Sequence, residues 1–361
     1  MAYENDKSKR VFFSFKETTP NTQNTTCFFE GRGDKFAQPE GEFQLESDKN
    51  KMGSGEHGRK AELQAVWAPW SYTCDRMSEV AFFTAYFMGK SYTPVSSGTP
   101  QMHEINHLLE AEMDLPTFTM EYGTGGTGNN VVYTGCVVNE YSITFAAGGN
   151  GVVEATFSGW GNKHRKVGGA FAQNVAGNMA TGTFDFSSEP LLNFKCLKAW
   201  IADTMDDVDA NSVSISGPDI GTNIVDITSM LNSVTMTGNN GMTAADKARA
   251  GGCGIVNDYV RGDREFTLEV NFRKNDSNIN TDTLILANTQ KAMEFQFNGP
   301  YIDGTNPYAV DFLYPVVQFT AAPEDTEKPI GKAGALEVFQ DTNDEAKIVF
   351  VQSAVTSAYN S

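Results

Sequence analysis

The sequence predicts a mainly β fold, either an antiparallel β-sandwich or a partly closed barrel, with one or two flanking helices. Two segments, residues 133–160 and 265–272, alternate apolar and polar side chains with the period of two that is typical of half-buried strands. One segment, residues 72–88, has helical spacing instead. The chain has 361 residues, 25 phenylalanines and 40% hydrophobic content, which is enough for a substantial core and too much for a disordered chain.

Residues 133–160 predict a β-hairpin whose arms each carry one apolar and one polar face. In the first arm, Val137, Asn139, Tyr141, Ile143 and Phe145 alternate with Val138, Glu140, Ser142 and Thr144. Residues 147–151 supply the glycines that hairpin turns favour. In the return arm, Val153, Ala155 and Phe157 alternate with Glu154 and Thr156. The first set of each arm is expected on a core and the second set on the surface.

Residues 265–272 repeat this division in the second half of the chain. Phe266, Leu268, Val270 and Phe272 are expected inside, and Glu265, Thr267, Glu269 and Asn271 outside. With the hairpin, they define one candidate polar surface, whose predicted members are Glu140, Ser142, Thr144, Glu154, Thr156, Glu265, Thr267 and Glu269. These carboxylates and hydroxyls have no nucleophile or base nearby in the sequence. They therefore predict an exposed surface and no catalytic pocket.

A helix is predicted over residues 72–88, because Met77, Val80, Phe83 and Phe87 recur at helical spacing. Ser71 is the expected N-cap, and Gly89 is well placed to end the helix. Shorter helical segments are expected within residues 91–114 and 287–294.

The order of elements predicts four parts. Residues 1–60 form an N-terminal arm with loops, and residues 61–160 form a first β half-module with the helix. Residues 161–222 form an exposed connection or insertion, and residues 223–361 form a second β half-module. The similar order of strand, helix, strand and hairpin in the two halves could reflect two divergent copies of one module.

The strongest competing motif is His103–Glu104–Ile105–Asn106–His107, a literal H-E-x-x-H. On a helix, such histidines bind zinc and the glutamate activates water. Catalytic zinc needs a third protein ligand, which no later histidine supplies in a suitable position. The simpler interpretation is an exposed polar helix or loop, so we predict no metal, no cofactor and no catalytic residue. A zinc metallopeptidase remains an alternative.

Two further patterns, one of glycines and one of aspartates, resemble binding motifs but lack their full requirements. Residues 123–128 match G-x-G-x-x-G, but β-branched residues follow where a dinucleotide-binding fold needs a helix, so a loop between strands is expected. The aspartates of residues 203–209 lack the spacing of a calcium-binding loop. They are expected to form a solvated charge run.

The formal net charge is −18, from 45 acidic and 27 basic side chains. This argues against nucleic-acid recognition through phosphate neutralisation, which needs clustered lysine and arginine. The five cysteines lack the spacing of metal ligands. We therefore expect them to be small, buried hydrophobic residues in a reducing compartment. The polar stretch MAYENDKSKR predicts no signal peptide, and no apolar run approaches membrane-spanning length.

The hairpin and four further segments resemble the tail tube proteins of long-tailed bacteriophages, in particular the larger two-part tube subunits. These segments are LPTFTMEYG (115–123), VRGDREFTLEVNF (260–272), YAVDFLYPVVQFT (308–320) and ALEVFQDTNDEAKIVFV (335–351). They cover about half of the chain. The resemblance implies a structural virion protein that self-assembles into stacked rings, the hollow conduit for DNA ejection. It also makes the eight residues of the candidate polar surface the candidates for facing the lumen.

The resemblance also implies partners and a location. The partners are other copies of the chain and the tape measure, tail terminator and tail-tip proteins, while DNA passes without specific binding. Assembly is expected in the host cytoplasm, and the product in the virion tail. If the halves are copies of one module, three chains could form a pseudo-sixfold ring; otherwise six are expected. A β-sandwich binding or capsid-decoration module is the remaining alternative.

Overall fold

The structure, a computed structural model, describes residues 10–37, 42–47, 61–96, 100–107, 115–123, 131–146, 151–165, 182–203, 224–244, 259–260, 262–273, 286–304, 306–321, 324–325, 331–339 and 348–361. The glycine-rich loop predicted after residue 123, the hairpin turn at 147–150 and the acidic run after residue 203 lie outside these residues.

Within the described ranges the chain forms one α-helix, α1 (Met77–Met88), and short 3-10 helices at Gly33–Lys35, Phe194–Cys196 and Thr228–Met230. The strands of the first half are β1 (Arg10–Lys16), β2 (Cys27–Arg32), β3 (Phe36–Ala37), β4 (Glu42–Ser47), β5 (Ala61–Cys74), β6 (Gly89–Ser91), β7 (Val95–Ser96), β8 (Gln101–His107), β9 (Phe118–Gly123), β10 (Val131–Ala146) and β11 (Glu154–Arg165). Those of the second half are β12 (Leu197–Ala202), β13 (Val225–Asp226), β14 (Leu231–Asn239), β15 (Thr243–Ala244), β16 (Tyr259–Val260), β17 (Glu265–Arg273), β18 (Gln290–Tyr301), β19 (Pro307–Ala321), β20 (Glu324–Asp325), β21 (Gly331–Phe339) and β22 (Ile348–Ser353).

The strand pairings confirm a mainly β fold built from antiparallel sheets. The main sheet runs in the order β5–β11–β10–β14–β17–β21–β19–β18–β12. Two longer branches leave it: β10 also pairs with β9, which leads to β1 and β2, and β19 also pairs with β22, which leads to β8. Short strands pair with three further members: β3 and β4 with β5, β13 with β12, and β20 with β21. These pairings, taken over the described strands, never return to their starting point. The chain is therefore an open sandwich of sheets.

Helix α1 is the centre of the core, and all twelve of its residues are buried. Phe83 lies 5.3 Å from Phe157 of β11, and Phe87 lies 4.8 Å from Tyr141 of β10, measured between ring centroids. The helix therefore supports the inner face of the main sheet. Because it contacts protein on all sides, it has apolar residues on every side, and its polar residues Ser78, Glu79 and Thr84 are buried as well.

The helix begins five residues later than predicted. Strand β5 continues to Cys74, so Ser71 is a strand residue that pairs with Ser158 and does not cap the helix. A carboxylate from a distant segment replaces the cap: Glu189 accepts hydrogen bonds from the backbone nitrogen of Ser78 at 3.0 Å and from its Oγ at 2.6 Å. Gly89 ends the helix in the left-handed conformation at φ 99°, as predicted.

Buried carboxyl groups surround this helix start. Burial, the largest cause, raises the pKa of Glu189 to about 7, and it raises the pKa of Glu79 to about 7 as well. The Tyr72 hydroxyl donates to Glu79 at 3.3 Å. These acids hold neighbouring elements together and do not open on a cleft.

The predicted alternation of the hairpin is interrupted by a β-bulge. Val138 pairs with Gly159 and Glu140 with Ser158, so Asn139 is an extra residue on β10. The bulge reverses the inside–outside order: Val138 packs in the main core, whereas Val137 packs with Leu115 and Met242. Placing Val138 on the polar face was therefore wrong. A Cβ atom at residue 159 would lie 1.8 Å from the carbonyl oxygen of Val137, so the bulge needs glycine there.

Beyond the bulge, the predicted apolar faces are confirmed. Tyr141, Ile143, Phe145, Val153, Phe157, Phe266 and Leu268 are all buried in the main core. Phe272 is described by its backbone alone, which pairs with Leu231.

Two other expectations about local structure were wrong. Residues 287–294 do not form a helix: a turn precedes β18, which begins at Gln290. Residues 161–222 were expected to be an exposed connection, but β11 continues to Arg165 and β12 pairs with β18. Phe186, Leu192 and Leu197 of this region belong to the main core. Their scattered spacing gives no periodic signal, because they come from short irregular segments.

Candidate functional site

The predicted polar residues come together on one face of the main sheet. We define the polar face as twelve residues on four neighbouring strands: Glu154, Thr156 and Ser158 of β11; Glu140, Ser142 and Thr144 of β10; Thr235, Thr237 and Asn239 of β14; and Glu265, Thr267 and Glu269 of β17. All eight residues predicted from the sequence belong to it. Thr156 is half-buried and the other seven are exposed.

The register of the strands aligns this face in rows. Thr156 pairs with Ser142, Ser142 with Thr237, and Thr237 with Thr267. In a second row, Glu154 pairs with Thr144, which continues through Thr235 to Glu269. A third joins Glu140 through Asn239 to Glu265. Side chains one strand apart on the same face are within reach of one another.

Hydroxyl groups on this face bond to each other across the strands. Thr144 and Thr235 are joined at 3.5 Å between their Oγ1 atoms, and Thr237 bonds to Thr267 in the same way. Asn239 donates from Nδ2 to Glu140 Oε1 at 3.1 Å. Because these groups already have partners in the sheet, a passing ligand would have to compete with them for hydrogen bonds.

The charge on the polar face has one sign. Its charged members are Glu140, Glu154, Glu265 and Glu269, and none of the twelve residues is basic. At its edge, Lys35 Nζ lies 2.7 Å from Glu154 Oε1. The face is an acidic surface, and its twelve residues include neither the nucleophile–base pair nor the convergent donors of a catalytic site.

The central row continues beyond the four strands in both directions. Thr73 of β5 pairs with Thr156, and their hydroxyls lie 3.2 Å apart. On the other side, Thr267 pairs with Glu337 of β21, Glu337 with Gln318 of β19, and Gln318 with Gln290 of β18. One row thus crosses eight antiparallel strands with a polar residue at every position.

Sequence reasoning missed the contribution of β14. Its residues Thr235, Thr237 and Asn239 are half-buried on the polar face, while Val234 and Met236 are in the core. The alternation in LNSVTMTGN was a usable signal. Its position between β10 and β17 could not be read from the sequence, because it depends on long-range pairing.

The H-E-x-x-H motif does not have the geometry of a zincin. Residues Gln101–His107 form β8, where residues four apart are separated by roughly 13 Å along the strand. Glu104, on the opposite side of the strand from His103, is half-buried. The expectation of an exposed helix or loop was also wrong, since His103 is fully buried.

The contacts of His103 indicate a structural role. Its Nε2 lies 2.9 Å from the carbonyl oxygen of Val355. Burial, the largest cause, lowers its pKa to about 4, so the imidazole is neutral at pH 7. His107 is described by its backbone alone, which pairs with Gly89. In the described part of the chain, no group of three or more histidine, cysteine, aspartate or glutamate residues could hold a metal ion.

Comparison with known proteins agrees with this arrangement. The family model described as "Phage tail tube protein" matches residues 68–343, which span α1, all four strands of the polar face and the extension to β18. No curated protein matches the chain. No helix among the described residues is long and apolar enough to cross a membrane. The match covers well over half of the sequence, so the chain belongs to the phage tail tube protein family and is a structural component of the virion.

Proposed function

We propose that the chain self-assembles into stacked rings whose hollow interior conducts DNA from the capsid into the host, and that the polar face lines this channel. The observation that carries the proposal is the eight-stranded row with polar residues at every position, backed by an apolar core on α1. Such a sheet has one face that must be buried and one that can face water. Joined side by side, copies of it would form a wall.

The number of strands suggests three chains in a ring. Barrels of about 8 strands are filled by their own side chains, while barrels of about 16–18 strands leave an aqueous channel. Three chains of eight strands each would supply 24. This ring would be pseudo-sixfold if each half of the chain acts as one module, as its sequence order suggests.

The charge of the polar face suits a channel that DNA passes without binding. Carboxylates repel phosphates, and hydroxyls that bond to each other offer few free groups. In this proposal the chain's partners are other copies of itself and the tape measure, tail terminator and tail-tip proteins. Assembly takes place in the host cytoplasm.

Electron microscopy of the purified chain, or of tails from infected cells, tests the assembly. We expect stacked-ring tubes, with rotational averaging giving three copies per ring. A chain that stays discrete under all conditions, or only decorates a preformed shell, would contradict the proposal. Six copies per ring would agree with the proposed tube but would contradict the contribution of eight strands by each chain.

The position of the polar face is tested by charge reversal. Phage carrying Glu140→Lys and Glu154→Lys should form intact tubes, because both side chains are exposed and outside the core. DNA release should be several-fold slower, since lysines on the wall would attract phosphates. The measurement is ejection kinetics followed with a DNA-binding dye.

The matched control is Asp185→Lys with Asp226→Lys, which changes the net charge equally at exposed positions away from the polar face. Normal ejection by the Glu140/Glu154 variant would remove these residues from the channel wall. Equal slowing in both variants would attribute the effect to overall charge.

A further inference from the structure

We propose that residues 354–361, which follow β22, form a strap that fastens helix α1, and that a proton on His103 releases this strap. The inference does not depend on the ring assembly, because every contact that carries it lies within one chain. It starts from the buried histidine of the H-E-x-x-H motif, for which the proposed channel has no use.

The strap contacts α1 at both ends. Near the end of the helix, Asn360 donates from Nδ2 to the carbonyl oxygens of Ala85 and Gly89, both at 3.1 Å. Such donors are useful there, because the last turn of a helix leaves carbonyl groups without helical partners and α1 has no basic residue in that turn. At the start of the helix, the Tyr359 hydroxyl donates to Ser78 Oγ at 3.3 Å. Two adjacent strap residues therefore hold the two ends of the helix.

His103 of β8 contacts the strap at two points. Its Nε2 donates to the carbonyl oxygen of Val355 at 2.9 Å, and its ring lies 4.6 Å from that of Tyr359, measured between centroids. Ser353, the last residue of β22, joins the two contacts: its Oγ lies 2.9 Å from the Tyr359 hydroxyl and 3.4 Å from His103 Nε2. Val355 and Tyr359 are themselves buried in the main core. The position of the strap therefore depends on the state of the imidazole.

A second proton on this imidazole would have no acceptor. Because the Val355 carbonyl can only accept, Nε2 carries the hydrogen of the neutral ring and Nδ1 carries none. Nδ1 is buried and has no hydrogen-bond partner among the described residues. Protonation would therefore place a donor and a charge in a buried site without a partner, which is unfavourable. When the strap opens, water can hydrate the ring, so the proton favours the open state.

The pH range of this release follows from the pKa of His103. Burial, the largest cause, lowers this pKa from 6.5 to about 4, while the hydrogen bond to Val355 acts in the opposite direction. The closed chain therefore binds the proton more weakly than the open chain does. The contribution of His103 to closure is complete above about pH 6.5 and is lost as the pH falls towards 4. The strap is expected to be closed at neutral pH and loosened at pH 5.

Other titratable groups lie on the elements around His103. They are Tyr359 of the strap, Glu79 and Tyr86 of α1, Lys90 of β6, Glu104 and His107 of β8, and Arg76, Glu189 and Tyr308 near the Tyr359 hydroxyl and Ser78. Burial raises the pKa of Glu79 and of Glu189 to about 7, so these two carboxyl groups stabilise the folded chain on acidification, opposite to His103. A comparison of chains that differ only at His103 therefore isolates its effect.

Hydrogen exchange of the purified full chain tests the release. The variant His103→Gln keeps a side-chain donor for Val355 but takes up no proton. Exchange of the backbone amides in residues 354–361 is followed by mass spectrometry at pH 7 and pH 5 and corrected for the intrinsic rate at each pH. The protection of the strap in the variant, relative to the parent, should rise about 20-fold from pH 7 to pH 5, as for a group whose pKa moves from about 4 to 6.5 on opening.

The matched control is Glu104→Gln, which removes the neighbouring carboxylate on the opposite side of β8 and leaves His103 in place. Its strap should respond to pH like that of the parent. A ratio of protection between His103→Gln and the parent that stays the same at pH 7 and pH 5 would overturn the inference.

The reciprocal effect gives a second measurement, which does not need His103→Gln to fold. If protonation of His103 loosens the strap, loosening the strap must make His103 easier to protonate. In a chain with Tyr359→Ala and Asn360→Ala whose circular dichroism matches that of the parent, the pKa of His103 should rise from about 4 towards 6.5. Nuclear magnetic resonance of the imidazole measures this value. A pKa of His103 that stays at about 4 would separate the imidazole from the strap and overturn the inference.

Discussion

Replacing Phe83 with alanine is expected to lower the free energy of unfolding by about 3–5 kcal/mol, the usual cost of truncating a buried phenylalanine. Phe83 is fully buried, and its ring centroid lies 5.0 Å from that of Phe13 and 5.3 Å from that of Phe157. These partners come from two different strands, β1 and β11, so the cavity would weaken the packing of the helix on both. Urea unfolding of the purified chain measures the change.

Tyr301→Ala is the control for this prediction, because Tyr301 is 53% exposed and loses little buried contact on truncation. Its expected change in the free energy of unfolding is within about 0.5 kcal/mol. A Phe83→Ala variant as stable as this control would mean that α1 is not the centre of the core.

Replacing Glu17 with alanine should lower the free energy of unfolding by about 3 kcal/mol or more, because several buried donors would lose their acceptor. The Glu17 carboxylate accepts hydrogen bonds from Thr117 at 2.8 Å, Thr119 at 2.7 Å and the backbone nitrogens of Asn21 and Gly135, both at 2.9 Å. Alanine would leave two backbone donors unpaired, at about 1–3 kcal/mol each.

The loss of stability should extend to β10 around Gly135. Gly135 has a φ of 59°, and a Cβ atom there would lie 2.0 Å from Asn21 Oδ1, so the chain is tightly held at this turn. Glu17→Gln should lose less stability than Glu17→Ala, because it keeps one acceptor oxygen. Glu269→Ala, an exposed carboxylate on the polar face, is the matched control. Equal stability of Glu17→Ala and Glu269→Ala would contradict the prediction.

Glu17 should also make the free energy of unfolding depend on pH. Burial is the largest influence on the pKa of Glu17 and raises it above 4.5, although its hydrogen bonds act in the opposite direction. The folded chain therefore holds this proton more strongly than the unfolded chain. The contribution of Glu17 is most favourable below the unfolded pKa and is lost as the pH rises through the folded pKa. Glu17→Gln should remove this part of the pH dependence.

The polar face was predictable because its signal is local. Side chains that alternate along a single strand report which face is buried, and the eight predicted residues do lie on one face. Val138 was misplaced because one inserted residue, Asn139, reverses the alternation. A bulge depends on the partner strand, here on Gly159, and leaves no periodic signal in its own strand.

The start of the helix was misjudged for a related reason. Ser71 has the chemistry of an N-cap, but its backbone is used by the pairing of β5 with β11. Glu189, more than a hundred residues away, satisfies Ser78 instead. Capping preferences are weak compared with eight paired residues along a strand, so the long-range pairing decides the boundary.

The sequence alone determined the mainly β character of this protein, the helix that ends at Gly89, the inward faces of its strands and the acidic character of the outward one. These properties follow from short-range spacing and composition. Only the tertiary structure decided that β14 lies between β10 and β17 and that one polar row crosses eight strands. The pairing of residues about a hundred positions apart depends on the combined packing of the whole core, which no local pattern encodes.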